Sequence, residues 1–337
     1  MATRDLATNS KRAFNSADKI ISFTDSALIK SYKTALVEIR AKLSGLYERF
    51  LTLEEPTKAQ LTQFMRLSNV EREIVDIMRP YLSANEALIK DMSVLGVDTG
   101  FFNHGWAVDQ AVGVNLGWGL IDDAAVRAVA GLGGDLGVLA GFMPAAEIAE
   151  HQKVLTKAFK NYDKDTVTWI AKDLQQGIIQ GESVPQVVKR LKANSLTMSY
   201  NSATKIARTE ILRATGLGNQ IAYDDARDEG VEIQEVWDAT LDDRTRPDHA
   251  TADGTIRDNV TKMFSVPWGE VAGPRRSGIA SQDINCRCIS VGEVVGYSPQ
   301  LRRIRDEGIQ PYQSFKTWAE SNGITQNRFG QKYNFGV

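Results

Sequence analysis

Residues 26–50 read SALIKSYKTALVEIRAKLSGLYERF, and Leu28, Tyr32, Leu36, Ile39, Leu43, Leu46 and Phe50 recur at steps of four, four, three, four, three and four. A half-buried strand would alternate with a period of two. Steps of three and four instead draw one apolar stripe along a helix of about 25 residues. Glu54-Glu55-Pro56-Thr57 breaks that helix and suits the start of the next. Leu61, Phe64, Leu67, Val70, Ile74 and Ile77 then make a second stripe. Residues 26–93 are therefore expected to form a long antiparallel helical hairpin, within an N-terminal segment 1–93. Such a hairpin serves either as a scaffold or oligomerisation stalk, or as a partner-binding arm.

Outward from the hairpin the pattern changes three times. Between Gly96 and Gly141 lie 11 of the 27 glycines, with Phe101, Phe102, Trp106 and Trp118 among them. Glycine costs about 1 kcal/mol relative to alanine in a helix, so a long regular helix is disfavoured here and 94–143 reads either as a loosely packed linker or as a segment whose apolar patches a partner or membrane covers. Helical periodicity returns at Pro144 and holds to about residue 230, with Ala203, Ala207, Ile211, Ala214, Leu217 and Ile221 forming a narrow stripe that permits close helix packing. Residues 231–296 hold two strand-like runs, Val231–Trp237 and Ile289–Val295, around a loop-rich centre in which Trp237 is a core candidate. A polar, slightly basic tail occupies 297–337. The fold class is mainly α, with a small C-terminal α+β, loop-rich module.

The chain has 337 residues, 42% hydrophobic and 24% charged, and a net charge of -2. That composition excludes disordered, collagen-like and disulfide-dense classes, and argues against coating nucleic acid by bulk charge. The polar N-terminus lacks the apolar core of an export signal. The most membrane-like stretch, 116–142, is interrupted by Asp122, Asp123, Arg127 and Asp135, so no membrane span is expected. Cys286 and Cys288 are too close for an unstrained bridge, which suits reduced thiols in a cytosol.

The densest constellation is Trp237-Asp-Ala-Thr-Leu-Asp-Asp-Arg-Thr-Arg-Pro-Asp-His249, then Asp253-Gly254, then Asn285-Cys286-Arg287-Cys288. Zinc favours thiolate and imidazole ligands in a four-membered shell. Cys286, Cys288 and His249 supply three, with Asp242 or Asp248 a candidate fourth. On a strand the two thiols of a C-x-C pair share a face, which suits a metal and equally suits an ordinary core. Asp242 and Asp243 with Arg244 and Arg246 read either as a solvated turn or as buried pairs pinning a loop-rich module, and pinning is the favoured reading. Arg208, Glu210 and Arg213 flank the small-residue stripe, Glu210 within reach of Arg213. No H-E-x-x-H, phosphate loop, G-x-S-x-G or complete dinucleotide fingerprint is present.

With Ile206-Ala-Arg208-Thr-Glu210-Ile211 ahead of them, these ordered motifs resemble the phage Mu protein F-like minor head (head morphogenesis) family over about 150–296. The resemblance implies a low-copy minor head protein of a tailed double-stranded DNA phage, associated with the portal protein and with capsid or scaffolding protein. It implies roles in head assembly, DNA packaging or ejection, and a place in the head interior near the portal vertex after assembly in the host cytoplasm. It also implies a metal site at His249, Cys286 and Cys288. Arg275, Arg276, Arg302, Arg303 and Arg305 are candidate phosphate contacts to packaged DNA, or simply solubilising charges. The rival expectation is a metal-dependent nuclease or hydrolase using Asp242, Asp248 and His249. A fused toxin domain is disfavoured, because the roughly 40 residues beyond the Cys-Arg-Cys module are short for a catalytic domain.

Overall fold

The computed structural model describes residues 6–51, 70–119, 121, 123–129, 145–180, 182–240, 244–295, 302–304 and 308–310. Helices α1 (Leu6–Leu51), α2 (Val70–Val112), α3 (Asp123–Val129), α4 (Ala145–Gln180), α5 (Val184–Ala193) and α6 (Ser195–Asp228) precede the mixed module. That module comprises β1 (Ile233–Asp238), α7 (Pro247–Ala252), β2 (Phe264–Val266), β3 (Gly269–Val271), α8 (Ala280–Asp283) and β4 (Ile289–Val294), followed by β5 (Arg302–Ile304) and β6 (Gly308–Gln310). The mainly α class with a small α+β module is thus observed. No helix among the described residues is long and apolar enough to cross a membrane.

Contacts divide the chain into two compact units. One holds Phe23–Ile89 and Val154–Ile206. Here the predicted stripe is buried at Leu28, Tyr32, Ile39 and Leu43, and Ile74, Met78 and Leu82 of α2 are buried too. Glu38 accepts from the Tyr81 hydroxyl at 2.5 Å and Lys42 pairs with Glu73 at 3.2 Å, so α1 and α2 run antiparallel, as the hairpin requires. The core carries a chain of buried hydroxyls: Tyr32 to Tyr162 at 2.6 Å, Tyr32 to Ser199 at 2.7 Å and Ser199 to Thr166 at 2.7 Å, with Asn85 donating to Tyr162. Buried polar groups are tolerated only when satisfied, and this chain satisfies them across four helices. Asp173 accepts the backbone NH of Ser195 at 3.1 Å and so caps α6, four residues earlier than Ser199, where the sequence suggested a start. The break expected at Glu54–Thr57 and the stripe positions Leu61, Phe64 and Leu67 lie outside the described residues.

The second unit holds Met1–Ser22, Lys90–Lys153 and Ala207–Val337. Two expectations are corrected here. α1 begins at Leu6, because Ala13, Phe14, Ala17, Ile20 and Ile21 continue its buried stripe. α2 continues through Gly96, Gly100 and Gly105 to Val112, where a regular helix was disfavoured. The glycines are contact surface: a Cβ at Gly100 would lie 2.2 Å from the Thr215 carbonyl oxygen, and one at Gly218 would lie 2.0 Å from that of Val97. α2 and α6 therefore cross backbone to backbone, with Ala214 of the predicted small-residue stripe at the crossing. Phe101, Phe102, Trp106 and Trp118 are covered by this unit's own core, not left for a partner. Past the end of α2 the Asp109 carboxylate accepts from Leu116 N and Trp118 Nε1, turning the chain back. Pro144 and Gly131–Gly134 lie outside the described residues.

In the module, β1 and β4 pair antiparallel with Trp237 opposite Ser290, matching both strand expectations, and β2–β3 and β5–β6 are two further short hairpins. Trp237 is buried with Phe264, Val266, Ala252, Cys286 and Cys288. The buried ion pairs that pin this module are Arg257–Glu235 at 2.7 Å and Arg227–Glu235 at 2.8 Å, with Ser290 donating to the same carboxylate.

Candidate metal centre

Two loops converge beneath the β1–β4 ladder. Pro247 opens α7, whose fixed φ suits a first helical turn, and His249 lies on the inner face of that helix. On the other side α8 ends at Asp283, and Asn285 adopts φ +57, a left-handed conformation that asparagine tolerates and that turns the chain into Cys286-Arg287-Cys288. Both thiols and the imidazole are buried. His249 Nδ1 is 3.3 Å from Cys288 Sγ and 3.6 Å from Cys286 Sγ, and the three candidate donor atoms all lie within 4.8 Å of one another. Both cysteines are free thiols.

The donor spacing fits a soft divalent ion. With Zn–S near 2.3 Å and Zn–N near 2.0 Å, the S···N edge of a tetrahedral shell is about 3.6 Å. Electrostatics favour a thiolate at Cys286 alone. A hydrogen bond from Cys288, followed by those of His249 and the Arg275 charge, pushes the Cys286 thiol down to about 4, while Cys288, sharing that hydrogen bond and buried, is raised. His249 is raised by its hydrogen bond to Cys286. Arg275, itself buried at φ +64, donates Nη1 to the carbonyls of Cys286 (3.1 Å) and Cys288 (2.6 Å) and Nη2 to that of Leu212 on α6. Beside the group is a pocket of about 20 Å³, lined by Thr240, Arg244, Thr245, Arg246, Asn285 and Arg287, with room for one water-sized ligand.

Asp253 accepts the backbone NH of Ala239 at 2.7 Å, and Gly254 at φ +78 returns its NH to the Trp237 carbonyl, so both shape the turn below the site. Asn285 N donates to Thr209 Oγ1. Arg246 donates to the Ile284 carbonyl at 2.6 Å and so pins backbone beside the site. Asp242 and Asp243 lie outside the described residues. Arg208 is exposed, whereas Glu210 is buried against Arg213 (3.1 Å) and His151 (3.2 Å). Burial acts to raise the Glu210 carboxyl, but Arg213 and His151 outweigh it and hold it at about 2. The expectation that Arg275 and Arg276 reach DNA phosphates does not fit: Arg275 is buried as described, and Arg276 is bound to Glu147 by Nε at 2.6 Å. Arg302 and Arg303 lie on β5, and Arg305 is outside the described residues. Sequence reasoning missed Gln282, whose side chain meets His249, and Trp268, stacked on its ring at 4.7 Å. Nothing in the one-dimensional spacing marks either.

Residues 168–291 match the family described as Phage Mu protein F like protein, and the resemblance to phage minor head proteins holds. The chain is 27% identical over 293 residues to Minor head protein GP7 of Bacillus phage SPP1, covering 86% of this chain and 88% of that protein. It is also 27% identical over 313 residues to NAD(+)--arginine ADP-ribosyltransferase EFV of Enterococcus faecalis (strain ATCC 700802 / V583), covering 93% of this chain and 60% of that protein. This chain thus spans about three fifths of the length of the latter relative. No solved structure matches.

Proposed function

We propose that the protein is a minor head protein placed in the virion at the portal vertex, where it acts in head assembly and in packaging or ejection of DNA. The observation that carries this reading is the nearly end-to-end alignment with a phage minor head protein, 86% of one chain against 88% of the other. The helical segments supply long faces for portal, capsid or scaffolding protein. The module at 231–296 serves as a rigid anchor closed by a divalent ion, zinc by its ligand preference, held by His249, Cys286 and Cys288. When bound, the ion would tie α7 to the start of β4, and metal binding of this kind contributes directly to folding free energy.

The test is to quantify the protein by mass spectrometry in purified, DNA-filled particles against the major capsid protein. A few copies per particle is the expected result. Absence from particles, with presence in induced cells, overturns the reading.

A further inference from the structure

Gln282 stands between Asp248 and His249. Its Nε2 donates to Asp248 Oδ2 at 3.3 Å, and its Oε1 lies 2.9 Å from His249 Nε2. An ionised carboxylate only accepts hydrogen bonds, so the amide must turn its NH2 towards Asp248 and its carbonyl oxygen towards the ring. An amide oxygen likewise only accepts. The Nε2 position of His249 must then carry the hydrogen, which leaves the Nδ1 lone pair facing the two thiols at 3.3 and 3.6 Å. Trp268, stacked at 4.7 Å with an interplanar angle of 26°, holds the ring plane while this hydrogen bond sets its rotation.

We infer that Asp248 and Gln282 form a positioning relay that presents Nδ1 of His249, together with Cys286 and Cys288, to a soft divalent cation. The relay gives Asp248 a different part from that of a ligand: its carboxylate is engaged by Gln282, one residue removed from the metal-facing nitrogen. Outer partners of this kind fix the tautomer and orientation of a ligating histidine, and losing one costs 10- to 100-fold in metal affinity in general. All three members come from short helices, α7 and α8. The inference rests on the metal reading of the site, and the experiment separates the two.

The full chain is stripped with a chelator, and its zinc affinity is measured by competition with a chromophoric chelator. Cobalt is then added to read the thiolate-to-metal charge-transfer band. The wild type is expected to bind one equivalent with that band. Gln282→Leu should lose about 10- to 100-fold in zinc affinity and shift the cobalt band while its far-ultraviolet circular dichroism stays unchanged. Gln282→Glu, which restores an acceptor towards Nε2, should recover most of the affinity. No binding by the wild type overturns the metal reading itself. Wild-type binding with an equal affinity and spectrum in Gln282→Leu overturns the relay alone. Should the leucine variant fail to fold, Asp248→Ala at the exposed end of the relay decides: weaker zinc binding supports the relay and unchanged binding overturns it.

Discussion

The two halves of α2 follow different rules. Over residues 70–91 buried and exposed positions alternate at helical spacing, whereas over 94–112 every residue is buried except Leu95, which is half-buried. The first half was readable as a helix because a periodic stripe marks the boundary between core and water. The second has water on no side, so that mark disappears, and its glycines point the wrong way if only helix propensity is weighed. Magnitudes explain the outcome. Gly96, Gly100 and Gly105 cost about 1 kcal/mol each. Burying Phe101, Phe102 and Trp106, at roughly 150–250 Å² apiece and about 25 cal/mol per Å², contributes on the order of 10 kcal/mol.

The sharpest test of this contrast is one substitution made in two settings. Gly218→Ala would put a methyl group 2.0 Å from the Val97 carbonyl oxygen, so α2 and α6 must move apart. A loss of about 3 kcal/mol or more is expected by urea unfolding. A loss under about 1 kcal/mol would show that the crossing is not backbone-limited.

The fully buried half also predicts acid sensitivity. His104 is enclosed with its Nδ1 2.7 Å from the Gly100 carbonyl oxygen, and burial, its largest influence, lowers its pKa to about 4. A histidine depressed from 6.5 favours the neutral folded state. Its contribution is complete above pH 6.5 and is lost as pH falls from there towards 4, about 3 kcal/mol in all. His151, lowered chiefly by burial, acts in the same direction. Glu210, held at about 2, adds its loss only between pH 4.5 and 2. Unfolding midpoints across pH 7 to 4 should therefore fall steeply in the wild type and less steeply in His104→Phe. Equal slopes would remove His104 as a source.

Gly45 on α1 has nothing within 4 Å of where its Cβ would be. Gly45→Ala should therefore stabilise by about 0.5–1 kcal/mol, the opposite sign from Gly218→Ala. A thermal melt below that of the wild type would contradict the open helical setting. Smallest of all, Tyr81→Phe removes the exposed bond to Glu38 and should cost no more than about 0.5 kcal/mol. A larger loss would mean that this edge of the hairpin carries more of its stability than its exposure implies.

Much of the molecule is legible in its sequence. The stripe from Leu28 to Leu43, the strands at β1 and β4, the core role of Trp237 and the grouping of His249 with Cys286 and Cys288 all followed from spacing and ligand chemistry. Glu235, the buried partner of Arg227 and Arg257, was not legible, because its carboxylate sits on an alternating strand like any half-buried residue. Arg275 and Arg276 read as surface cations, since adjacent arginines carry no sign in one dimension of which way they face.

What the sequence determined by itself is local: where a face is apolar, where a turn falls, and which side chains have the chemistry to hold a metal. Only the tertiary structure decided which glycines are contact surface, which charges are paired and buried, and that Gln282 reaches His249 from 33 residues away. The physical reason is range. Helical and strand periodicities act over a few residues, whereas close backbone crossings and desolvated pairs depend on what the fold brings opposite each group.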